Sequence, residues 1–350
     1  MKEFIIDKNT AVSESCFNSV SEALSALPEN EEEQYILKIA PGKYYEKLEI
    51  RRGNLIIEGC GASPEDTELT FDDCARKDHP DGNKYGTFRS YSVFIDAGNI
   101  TVRNLTISNT SGPEDEAWQA IALYAEGNEL RFENVRLCGH QDTLFTGPLP
   151  PKEIQPGGFI GPKQFAPRIN GFQYYKNCYI CGNVDFIFGS ATAFFDDCTI
   201  ESIPRSILLR SKAKAEASRY NENKAETEAE NKVENKSDNK TETKTNPEEI
   251  HGYVTAGSTP EGQEYGYTFR NCRFISKECP ADSVYLGRPW RDFAKAVFTD
   301  CEIGRHIRAE GFHDWNKPHA REVSYYAVKN CHRPDGTPYI PTADFCRPLP

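Results

Sequence analysis

The chain is 350 residues long, 38% hydrophobic and 27% charged, with a formal net charge of -12 at neutral pH. That length fits two ordinary domains or one elongated repeat domain. The acidic balance excludes a surface built to bind DNA or RNA electrostatically.

The N-terminus, Met1-Lys-Glu-Phe-Ile-Ile-Asp-Lys8, sets charged residues on both sides of a three-residue apolar run. It supplies neither a secretory core nor a membrane span, so the expected location is cytoplasmic as written, or secreted if a leader had been trimmed away. Residues Phe17 to Leu27 place apolar side chains at Phe17, Val20, Ala23, Leu24 and Leu27 and stop before Pro28. This spacing predicts an amphipathic helix capping the first turn of the fold. Next come Gly42-Lys-Tyr-Tyr-Glu46, with Tyr44 and Glu46 expected to be structural, and Tyr-Gly-Thr-Phe-Arg-Ser around Thr87, a candidate substrate contact.

From residue 102 onward one pattern recurs: an aromatic or apolar residue, a polar pair ending in Asn or Asp, then often Cys. It reads Val-Arg-Asn-Leu at 102–105, Phe-Glu-Asn-Val at 132–135, Tyr-Lys-Asn-Cys at 175–178 and Phe-Asp-Asp-Cys at 195–198. It returns as Phe-Arg-Asn-Cys at 269–272, Phe-Thr-Asp-Cys at 298–301 and Val-Lys-Asn-Cys at 328–331. Uninterrupted copies are roughly one solenoid turn apart and run into short β-rich stretches, which predicts a single all-β domain, a right-handed parallel β-helix. Asp196, Asp197 and Asp300 then read as buried turn residues. Cys178, Cys198, Cys272, Cys301 and Cys331 form a ladder in which Cys178 and Cys198 are the best candidates for a disulfide under oxidising conditions.

Between these repeats lie the chemical motifs. Trp-Gln-Ala-Ile-Ala-Leu carries Gln119, Gly-His-Gln-Asp-Thr-Leu carries Gln141 and Asp142, and Val-Asp-Phe-Ile-Phe-Gly carries Asp185 and Phe188. A carboxylate in such apolar surroundings needs a partner, a proton or a chemical role. Strict strand alternation would turn Gln141 away from Asp142, and Asp185 away from Phe188, so a shared cleft requires each strand to end or bend inside its motif. Residues 211–249 are rich in Lys, Glu, Asn, Thr and Ala, and predict a disordered insertion within the domain. Leu-Gly-Arg-Pro-Trp then supplies Arg288 and Trp290, and Gly-Phe-His-Asp-Trp-Asn supplies Trp315.

Taken in order, these five motifs from Gly42 to Trp290 resemble the pectin methylesterase family, carbohydrate esterases that release methanol from methylated polygalacturonate. The resemblance implies the β-helix and assigns Asp185 as nucleophile and Asp142 as general acid, then base. It gives Gln119 and Gln141 as oxyanion donors and Arg288 as the partner that keeps Asp185 ionised. Phe188, Trp290, Thr87 and Trp315 become substrate contacts. Pectin or a methylated oligogalacturonide is the implied partner, engaged by a monomer without cofactor. Lys163, Arg168, Arg288 and Arg291 are candidates for a local basic strip along the cleft. No Gly-x-Ser-x-Gly elbow is present, and no His, Asp or Glu cluster has metal-ligand spacing. Two alternatives stay open: a lyase or polygalacturonase on the same fold, and a catalytically silent carbohydrate-binding β-helix.

Overall fold

The computed structural model describes residues 1–206, 208 and 249–348. Among these residues the strands form three parallel sheets of eleven, eight and seven members. Strands of one sheet pair with equivalents one turn earlier and later, as Phe132 does with Val102 and Tyr175. The chain therefore winds as a right-handed parallel β-helix whose interior is one continuous apolar core.

The repeat has a local cause. Asn104, Asn134, Asn177, Asp197, Asn271, Asp300 and Asn330 all adopt φ between 52° and 56°. The first six turn the chain from the eleven-stranded sheet into the eight-stranded one, and Asn330 follows the last strand of the eleven-stranded sheet. A left-handed conformation disfavours most side chains but suits Asn and Asp, whose short polar groups also bond nearby. Asn134 donates to Asn104 Oδ1 at 2.9 Å, and Asn271 to Asp197 Oδ1 at 2.6 Å. Just before the turn, Phe132, Tyr175, Phe195, Phe269 and Phe298 stack face to face at 4.5–4.8 Å. Just after it, the five repeat cysteines are buried and free, each thiol directed at a carbonyl oxygen of the preceding coil.

Asp197 and Asp300 are turn residues as expected, but both are exposed rather than buried. Asp196 is not at the turn: it lies in the strand Thr192–Asp196 and pairs with Arg270 through two 2.6 Å hydrogen bonds. The N-terminal helix is also shorter than its pattern suggested, spanning Val20–Ser25. Phe17 instead joins a two-residue strand at the edge of the large sheet, so strand pairing shares the work of covering that end. Val20 and Ala23 still face the core. Glu46 caps this helix, accepting from the backbone N–H of Val20 and Ser21 at 3.0 and 2.8 Å. The buried Tyr44 hydroxyl donates to the Ala40 carbonyl. Both residues are thus structural. Residues 211–248, nearly all of the expected insertion, lie outside the described residues.

Candidate active site

The site is assembled along the seven-stranded sheet, one motif per coil. Gln119 and Gln141 face each other through a parallel bridge on adjacent coils. Asp142 follows at φ 65°, in the gap between the strands Arg136–Cys138 and Leu144–Thr146. Its N–H donates to the Val184 carbonyl at 3.1 Å, which ties it to the coil carrying Asp185.

Asp185 has φ 52°, and the register against the next strand slips between Val184 and Ile187. This is a β-bulge: one extra residue re-aims the side chains around it. Phe186 and Ile187 join the main core, while Phe188 joins a second, aromatic cluster with Phe88, Phe145 and Phe159. Both aspartates thus sit where the strand geometry breaks, which resolves the conflict that alternation posed.

Arg288 reaches Asp185 from two strands away. Its Nε and Nη2 donate to the two carboxylate oxygens at 2.7 Å each. The guanidinium is held between the rings of Tyr253 and Trp315, 3.7 Å from each centroid. Such a bidentate, stacked arginine is a fixed counter-charge. Asp142 is 7% exposed and Asp185 8%. Burial, followed by the negative charge of Asp185, pushes the Asp142 carboxyl well above its usual range; Arg288 and Gln141 act the other way. Asp185 is paired with a guanidinium, whereas burial and a neighbouring carboxylate favour the protonated form of Asp142, an inequality that can divide two carboxyl groups between different chemical tasks.

Trp290 packs on the aromatic cluster, 5.7 Å from Phe188, and Trp315 borders the same cluster. Thr87 opens a short 3-10 turn beside Phe88 and is half-buried. Its neighbour Phe88, rather than Thr87 itself, belongs to the aromatic cluster. The basic strip is only partial. Lys163 is engaged by Asp96 and Glu126, and the Arg168 guanidinium donates to backbone carbonyls. Tyr253, Phe88 and Phe159 were missed by sequence reasoning. Tyr253 sits in an ordinary strand pattern, and only the position of Arg288 gives it meaning. Among the described residues no group of His, Cys, Asp and Glu could hold a metal ion, and no helix is long and apolar enough to cross a membrane.

A family model described as Pectinesterase matches residues 9–148, 169–246 and 239–336. Pectinesterase QRT1 of Arabidopsis thaliana is 27% identical over 317 residues, covering 89% of this chain; the chain spans 65% of that relative's length. Among solved structures, the pectin methylesterase from Yersinia enterocolitica is 26% identical, with a TM-score of 0.67 and coverage of 95% and 94% of the two chains. A pectin methylesterase crystallised with a hexasaccharide is 23% identical, with a TM-score of 0.70 and coverage of 99% and 92%, a likeness of fold.

Proposed function

This chain belongs to the pectinesterase family, and from that premise we propose that it hydrolyses methyl esters of pectin or of methylated oligogalacturonides. The observation that carries the reading is the unequal aspartate pair. Asp185 is clamped by Arg288, whereas Asp142 is buried beside a second carboxylate, which raises its affinity for a proton, and is bonded through its backbone to the neighbouring coil.

In the proposed reaction a carboxylate oxygen of Asp185 attacks the ester carbonyl carbon. The carbonyl electron pair moves onto oxygen, where Gln119 and Gln141 donate hydrogen bonds to it. Collapse breaks the bond to the methoxy group, which leaves with the proton of Asp142 as methanol. The acyl–Asp185 anhydride remains. Asp142, now a carboxylate, takes a proton from water as its oxygen attacks the galacturonyl carbon. Asp185 is released as a carboxylate, and the sugar carries a free carboxyl group. Two carboxyl groups sharing nucleophilic and proton-transfer duties is established chemistry for carbohydrate enzymes. Phe188, Trp290 and Trp315 offer flat faces for the sugar rings.

The test is methanol release from methylated pectin and from short methylated oligogalacturonides, with chain length followed in the same samples. Methanol with unchanged chain length supports the esterase. Shortened or unsaturated products would assign the fold to a polygalacturonase or lyase instead, and no reaction of any kind would favour a binding protein.

A further inference from the structure

The short helix Glu114–Ala117 ends at Trp118, whose backbone lies at φ 63°, ψ −132°. This is the conformation of the first central residue of a type II′ turn, which glycine fills freely and a bulky residue fills only under strain. Burial does not compensate, because Trp118 is 51% exposed. The Arg76 guanidinium braces the ring, 4.4 Å from its centroid. Arg76 is itself fixed by donating to the Asp115 carbonyl at 2.9 Å. A strained, exposed indole with a cation stacked against it is costly to keep unless it meets something. Trp118 also lines the same pocket, of about 460 Å³, as Gln119 and Gln141.

We propose that Trp118, braced by Arg76, is a specificity-determining platform that stacks against the sugar ring adjoining the one being de-esterified. The proposal rests on the esterase reading and extends it to a neighbouring subsite. An aromatic face matches the C–H face of a pyranose. Arg76 and Arg205 balance Glu114 and Asp115 around the pocket in formal charge. The platform therefore reads the ring rather than its charge, and it accepts a methylated or a cleared neighbour alike.

The experiment compares wild type, Trp118→Gly and Trp118→Phe for methanol release from fully methylated oligogalacturonides of increasing length, together with melting temperature and calorimetric binding of a methylated hexamer. Glycine suits the backbone at this position, so Trp118→Gly is expected to melt no lower than wild type. Its KM for the longer oligomers should rise about three- to tenfold with kcat unchanged, the range of a lost aromatic contact. The shortest substrates should be unaffected, and Trp118→Phe should restore most of the affinity. An unchanged length dependence and unchanged hexamer binding in Trp118→Gly would overturn the platform while leaving the esterase intact. A kcat loss equal at every length would also overturn it, marking Trp118 as structural. Failure of the esterase reading looks different: wild type would release no methanol from any oligomer.

Discussion

Asp142 and Asp185 carry the same functional group at nearly the same burial, and what distinguishes them is their partners. Arg288 satisfies both oxygens of Asp185, whereas Asp142 has a second carboxylate for a neighbour. Asp185→Asn keeps the shape and removes the proposed nucleophile, so turnover is expected to fall by at least about a thousandfold in protein that circular dichroism shows to be folded. Retention of a tenth of the wild-type rate would remove Asp185 from that role. For Asp142 the consequence is a pH dependence of stability. Its folded pKa lies above the unfolded value, so the folded state holds its proton more tightly. Stability from this group is full below the unfolded pKa, about 4, and is lost as pH rises through the folded pKa. Asp142→Asn removes that penalty. The variant should lose activity yet be more resistant to denaturant than wild type, with a gap that widens from pH 4 upward. A gap that is constant or shrinks with pH would show that the surroundings of Asp142 do not raise its pKa.

The elements of the coil were legible because their turn makes a chemical demand. The left-handed residue at this turn calls for Asn or Asp, and the aromatic before it and the cysteine after it face inward on a fixed register. Asn134 sits inside this ladder, donating to Asn104 and accepting from Asn177. Replacing it with Ala removes both hydrogen bonds and places a Cβ in a disfavoured conformation without a compensating polar group. The expected cost is about 1–3 kcal/mol in chemical denaturation. Asn134→Gly loses the same bonds but not the conformational fit, so it should cost measurably less. Equal losses in the two variants would mean that the backbone conformation contributes little. What the sequence did not disclose was the break in each catalytic strand. The bulge at Asp185 depends on an extra residue counted against the neighbouring coil, and no short window of sequence contains both strands. The N-terminal helix was over-read for a related reason. Apolar spacing around Phe17 serves a helix and an edge strand equally, and pairing with Ile6 decided for the strand.

On the scale of the whole molecule, a β-helix is a stack of nearest-neighbour contacts, so a length of chain leaving between two coils burdens neither if its ends lie together. They do here: the Arg205 N–H donates to Nδ1 of His251 at 3.3 Å, across the segment that separates them. The residues between 211 and 249 are rich in Lys, Glu, Asn and Thr and poor in core-forming side chains. Their composition offers little that would offset the entropy of ordering. A chain joining Arg210 to His251 through a short Gly/Ser bridge is therefore expected to fold and to keep its turnover of small methylated oligogalacturonides. Two halvings of loop length alter closure entropy by about 1 kcal/mol in favour of the folded state. For a domain of this size that corresponds to a rise in Tm of no more than about 4 °C. Differential scanning fluorimetry and methanol release on the same preparation check both halves of the expectation. Unchanged melting with collapsed turnover would make the segment a working part of the cleft, and a fall in Tm well beyond that range would show that it packs against the coils.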